Sequence, residues 1–193
     1  MRQPIRNEIS GVIAFLACLW LVYSADFLLA TDFTVYGLRP RSLDGIIGIP
    51  LMPFLHASFG HLLSNTVPLA ILLVLLAGSR ANSLLLVIEI VFLGGLLLWL
   101  LGRSSGNHVG ASGLVYGLIA FLIASGFTER RIASMAIALL VFFLYGSTLL
   151  FGVLPSLDQH ISWDGHLWGA VAGAITAYLH SPSIGIPDSD PGL

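Results

Sequence analysis

Apolar residues arrive in this chain as six long, nearly unbroken runs, and that one feature settles most of what it can fold into. The runs cover about Ile9–Ala30, His56–Gly78, Leu84–Leu101, Ser112–Phe127, Ile132–Phe151 and Trp163–Leu179. A helix needs about 20 such residues to cross a hydrocarbon core of about 30 Å. Barrel strands would alternate apolar with polar residues, and these runs do not. Only 9% of the 193 residues are charged and 56% are hydrophobic, whereas soluble domains carry about 25% charged residues. The expected fold is therefore all-α: a polytopic membrane protein built as a bundle of six transmembrane helices. Residues 1–180 are expected to form one membrane domain, and residues 181–193 a disordered, polar C-terminal tail rich in Pro, Ser and Asp.

The net charge of −2 and the lack of a basic patch argue against nucleic acid as a partner. The lone Cys18 rules out an internal disulfide. Arg2 and Arg6 precede an apolar run that is long enough to span and is followed by more spans, so it reads as a retained first helix and not a signal peptide. Six spans put both termini on one side. With that side cytoplasmic, Arg2, Arg6, Arg80, Arg130 and Arg131 lie inside and Arg39, Arg41 and Arg103 outside, the bias expected of a membrane protein. The expected setting is a cell membrane (inner or plasma membrane), with the chain multi-pass, both termini cytoplasmic and the lipid bilayer its main partner.

In that arrangement the second, fourth and sixth runs all descend from the outer face. His61 and Asn65 come early in the second, Ser112 opens the fourth and His166 comes early in the sixth. Polar groups are costly in hydrocarbon and face the bundle interior or a water-filled cavity, so their convergence on one layer reads as a site. The fourth run has 16 residues between Ser112 and Phe127, roughly 24 Å of helix. Its start is thus expected below the surface, reached by the glycine-rich stretch Gly102–Gly110. Irregular backbone at that depth must be buried in protein or line water.

Gly110-Ala111-Ser112-Gly113 places a serine at a loop-to-helix junction, where unpaired N–H groups and the positive end of the helix dipole would meet an oxyanion. By itself this tetrapeptide fits close helix packing at Gly113 and Gly117 better than catalysis. His166 is set in Asp164-Gly165-His166-Leu167-Trp168-Gly169, with Gly173 beyond. The Gly169/Gly173 face offers a seat for Gly113/Gly117, which would bring Ser112 and His166 within hydrogen-bond reach. Asp164, two residues from His166, points elsewhere on a helix and is read as an N-cap and not as a triad acid. Tyr116 shares a face with Ser112 and is placed to pack on the His166 ring, or to serve as an ordinary interfacial tyrosine.

His61 and Asn65 share a helix face and are placed to donate to one oxyanion. His56, five residues before His61 and without the carboxylate of H-E-x-x-H, does not make a metal site, so no metal or cofactor is expected. Glu89 is an intramembrane carboxylate with no partner readable from spacing and is taken as structural. Asp26 is read as interfacial, His108 as a residue placed to line the pocket, and His160 and His180 as solvated.

The set His56-x4-His61-x3-Asn65, Gly110-Ala111-Ser112-Gly113 with Tyr116, and His166-x2-Gly169-x3-Gly173 resembles the rhomboid intramembrane serine proteases in its small bacterial six-helix form. The resemblance implies Ser112 as nucleophile and His166 as base. It implies His61, Asn65 and the Ser112 N–H at the oxyanion, with Tyr116 stacked on His166, Gly110 shaping the loop and His56 holding the entrance of the second helix. Implied substrates are single-span transmembrane proteins cut near the outer end of their helix. Two departures stand out: Ile47-Gly48 occupies the place of a usual Trp-Arg pair, and Ala77-Gly78-Ser79-Arg80 the place of a frequent glutamate. Rival readings are a non-catalytic relative that binds transmembrane helices, and a small transporter, against which the lack of an internal repeat counts.

Overall fold

A computed structural model describes residues 5–80, 82–103, 106–155 and 162–181. Seven α-helices appear among them: α1 Ile5–Leu28, α2 Gly48–Leu51, α3 Phe59–Ser79, α4 Ser83–Leu101, α5 Ser112–Thr128, α6 Ile132–Gly152 and α7 Trp163–Leu179. The long helices α1 and α3–α7 take up the six apolar runs; α2, with 3-10 turns at Phe33–Tyr36 and Met52–Phe54, belongs to the first loop. Among the described residues four helices are long and apolar enough to cross a membrane by themselves, spanning Asn7–Leu28, Phe59–Ser79, Ser83–Leu101 and Ile132–Gly152. The helix α5 has 17 residues, or about 25 Å, shorter than a hydrocarbon core. The protein is an all-helical, polytopic membrane bundle. Residues 182–193 and His160 lie outside the described residues.

The second apolar run begins later than its composition implies. Ser58 is extended and its hydroxyl accepts the His61 N–H at 3.1 Å, so α3 starts at Phe59 and leaves His56 in the preceding turn. The cap decides the boundary: an apolar flank does not start a helix where a serine satisfies its first-turn donors.

The inner face of the bundle is centred on α5, whose Leu114, Leu118, Ile119, Phe121 and Leu122 are buried. The outward faces of α1 and α6 stay apolar, with Phe27, Leu28, Phe142 and Phe143 exposed, as a lipid-facing surface requires.

Glycines set the spacing of the core helices. A Cβ on Gly169 would fall on the carbonyl oxygen of Gly113, and one on Gly173 on that of Gly117. The rising numbers on both sides show α5 and α7 parallel and in register. Against Gly169 lies Gly94 of α4, whose added Cβ would stand 3.4 Å from the Gly169 Cα. With no hydrophobic drive between helices in lipid, such close backbone contact supplies the packing energy.

The first loop is tied down at many points. Leu38 and His108 pair as an antiparallel bridge, the Trp99 Nε1–H donates to the Ser42 carbonyl at 2.9 Å, and Arg41 donates to the carbonyls of Leu100 and Gly102. Gly48 lies against the backbone of Leu38, where a Cβ has no room. This explains a glycine in the Ile47-Gly48 pair. At the opposite end, Arg80 forms an ion pair with Glu129, and its guanidinium lies 5.3 Å from the Phe121 ring centre. Glu8 of α1 accepts the N–H groups of Asn82 and Ser83, capping α4 where Asn82 makes no side-chain cap itself.

Candidate active site

Ser112 is the first residue of α5 and His166 stands in the first turn of α7. Because the two helices meet in register through their glycines, the side chains come together: His166 Nε2 lies 3.0 Å from Ser112 Oγ. The other ring nitrogen, Nδ1, lies 3.0 Å from the Gly152 carbonyl oxygen. A carbonyl only accepts, so Nδ1 carries the proton and Nε2 presents its lone pair to the serine hydroxyl. Gly152 closes α6, where helix carbonyls have no intrahelical partner and the dipole is negative. Both features would stabilise a protonated imidazole.

Tyr116 stacks on His166 with ring centres 4.1 Å apart and planes 4° from parallel, and its hydroxyl donates to the Thr148 carbonyl at 3.2 Å. The stack and the carbonyl fix the imidazole in plane and in tilt.

Ala111 stands at the N-cap of α5 and offers no side-chain cap, so the first-turn N–H groups face the site unspent. Gly110 has φ +108, a conformation that side chains rarely adopt, and a Cβ there would sit 2.5 Å from His61 Nε2. Asn65 is buried on the same side and donates one amide hydrogen to the His61 carbonyl at 3.0 Å, keeping the second. His61, Asn65, Ser112, Tyr116 and His166 line one cavity of about 490 Å³. Its remaining wall includes Val67 and Pro68 of α3 and Tyr145 and Thr148 of α6.

Gly113, Gly169 and Gly173 are the packing contacts already described and touch no reacting atom. His56 is buried beside the cavity, its ring 5.2 Å from that of His61 and nearly edge-on. Its Nε2 has no hydrogen-bond partner among the described residues. Burial, and then the neighbouring His61, push its pKa down to about 4, so the ring is neutral.

Asp164 neither caps α7 nor faces His166. It accepts the Arg103 N–H at 2.9 Å and the Arg103 guanidinium at 3.2 Å, tying the glycine-rich loop to α7. That loop brings an unpaired N–H and a cation, a better partner for a buried carboxylate than its own helix end. His108 does not line the cavity. Its Nδ1 lies 2.6 Å from Ser162 Oγ, and Ser162 and Val109 form the wall instead. Burial lowers the His108 pKa below its ordinary value, partly offset by Asp164. Glu89 and His180, read as partnerless and solvated, meet at 2.7 Å. Asp26 accepts the Phe33 N–H at 2.8 Å and so closes the turn after α1.

Sequence reasoning missed the backbone acceptors of Gly152 and Thr148, since a carbonyl leaves no signature in residue type. Among the described residues no cluster of three His, Cys, Asp or Glu side chains is arranged for a metal.

An all-helical membrane bundle with a serine hydrogen-bonded to a histidine in a recessed cavity defines a class, the polytopic membrane proteins with a hydrolase-like site. The rhomboid domain model matches residues 45–183. The chain belongs to the rhomboid family, a family of intramembrane serine proteases that also has inactive members. An uncharacterized protein of Mycobacterium tuberculosis and one of Mycobacterium bovis are each 40% identical to it over 178 residues, which cover 88% of this chain and 74% of the relative. An uncharacterized Mycobacterium leprae protein is 38% identical over 189 residues, covering 93% and 74%.

Proposed function

We propose that this protein is an intramembrane serine endopeptidase that cleaves transmembrane segments of membrane proteins through a Ser112–His166 dyad. The observation that carries the reading is the 3.0 Å approach of His166 Nε2 to Ser112 Oγ with Nδ1 held by a carbonyl. A substrate segment enters between α3 and α6 and unwinds at the cavity, exposing a carbonyl. As Ser112 Oγ bonds to the carbonyl carbon, its proton passes to His166 Nε2, and the imidazolium is stabilised through Nδ1–H on Gly152. The oxyanion takes donors from the Ser112 N–H, His61 and Asn65, each worth roughly 3–4 kcal/mol. Collapse breaks the C–N bond, and Nε2 returns its proton to the leaving amine. Water then repeats the sequence on the acyl-enzyme, freeing the acid and Ser112. Proton movement needs only these two side chains, so the reaction is read as requiring no metal or cofactor.

Residues 1–180 are taken as one membrane domain in a cell membrane, with both termini cytoplasmic and the cavity facing outward. Single-span proteins are read as its substrates, entering beside the α3 and α6 walls of the cavity. The test is cleavage of a panel of transmembrane test segments, with product masses, alongside labelling by a serine-directed fluorophosphonate. Wild type should cut and label, and Ser112→Ala should do neither. Equal labelling of both would refute the nucleophile assignment.

A further inference from the structure

The turn Glu129-Arg130-Arg131 joins α5 to α6 at the end of the bundle opposite the dyad. Glu129 is engaged, paired with Arg80 and accepting the Ser134 hydroxyl at 2.6 Å. Arg130 and Arg131 are exposed and form no ion pair among the described residues. Among the described residues these two cations therefore stand uncompensated at the membrane edge.

From this turn a groove of about 550 Å³ runs into the bilayer between the two helices. Its walls are apolar throughout, with Phe127 of α5 on one side and Ile132, Met135, Ala136, Leu139 and Phe142 of α6 on the other. It exists because Gly126 lets α5 approach Ala138 closely at its floor, where an added Cβ would collide with the alanine. Phe142 lies ten residues beyond Ile132, about 15 Å along the helix, or half of a core of about 30 Å. The groove is one leaflet deep. At its mouth Arg131 is the N-cap residue of α6 and makes no side-chain cap, so the first-turn N–H groups and positive dipole lie beside the two arginines.

A leaflet-deep apolar channel ending in two exposed arginines and an uncapped helix start has the shape and charge of one ligand class. We propose that the α5–α6 groove holds one acyl chain of an anionic glycerophospholipid whose phosphate is bound by Arg130 and Arg131. Basic residues at the ends of membrane helices bind anionic headgroups in this manner. The site belongs to the leaflet that contains the turn and does not depend on the protease reading.

The full chain, reconstituted in bilayers of equal phosphatidylglycerol and phosphatidylcholine and then extracted gently, is weighed by native mass spectrometry. Wild type should retain one phosphatidylglycerol per chain in preference to phosphatidylcholine. Arg130→Gln with Arg131→Gln should cut retained phosphatidylglycerol about tenfold. Ala136→Trp, which fills the groove from an exposed position, should abolish retention; Leu139→Trp on the same wall replaces it if that variant does not accumulate. Equal retention of both lipids by wild type, or unchanged retention in the arginine pair or the groove variant, overturns the proposal.

Discussion

The dyad distance depends on bare backbone, and replacing one hydrogen atom measures that dependence. In Gly169→Ala the new Cβ would fall on the Gly113 carbonyl oxygen and 2.8 Å from its carbonyl carbon. Ordinary carbon contacts need about 3.5–4.0 Å, so α5 and α7 must part by roughly 0.7–1.2 Å at this level. Gly113 is adjacent to Ser112 and Gly169 lies one turn after His166, so most of the separation is passed to the 3.0 Å hydrogen bond. That bond then stretches toward about 4 Å, outside the range of proton transfer. A misplacement near 1 Å costs about 100-fold in rate, and overpacking costs about 1–3 kcal/mol of stability. The assay is cleavage of a transmembrane test substrate in proteoliposomes, with thermal unfolding of the same preparations. Gly78→Ala is the control: nothing lies within 4 Å of its added Cβ, and removing a helical glycine should stabilise by about 0.5–1 kcal/mol. Gly169→Ala cutting at the wild-type rate with an unchanged melting temperature would refute the argument that glycine contact sets the dyad.

Asp164→Asn should lower kcat/KM less than tenfold, because the carboxylate holds Arg103 and not His166; a fall near the roughly 10⁴-fold seen for a triad acid would show that it acts on the base. Tyr116→Phe keeps the ring stack and should retain most activity, whereas Tyr116→Ala removes a contact worth about 0.5–1.5 kcal/mol and should cost about 3–10-fold in steady-state cleavage. His56 titrates near 4 when folded and near its ordinary 6.5 when unfolded, so its share of stability is full above about pH 6.5 and is lost as pH falls toward 4. Melting temperatures between pH 7.5 and 5 should fall further for wild type than for His56→Gln, and parallel falls would contradict the assignment.

How much the sequence disclosed follows from which interactions are local. The apolar runs placed α1 and α3–α7, and the glycine pairs Gly113/Gly117 and Gly169/Gly173 placed α5 against α7, because each is written at helical spacing along one segment. The place of Ser112 as the first residue of α5 followed from where the fourth run begins. Polar pairings between distant segments that carry no such spacing were not legible. Glu89 meets His180 across 91 residues, and Asp164 meets Arg103 across 61. No periodicity encodes such contacts, and each was first read by its local role. The start of α3 was misjudged because apolar character continued past the true cap at Ser58.

The partner that orients His166 is the carbonyl of Gly152, and this changes what mutation and acid can do to the base of the proposed dyad. A carboxylate partner would add an ionisation of its own and fail when protonated; an amide oxygen stays an acceptor at every pH at which the protein folds. The acid limb of the rate profile should therefore show a single proton. No side-chain substitution deletes this acceptor either. It is specified by where α6 stops, and a side chain at that position would run into the Tyr116 hydroxyl, so the imidazole is vulnerable to a shift of helix register or to bulk at Gly152 and indifferent to the loss of an orienting side chain.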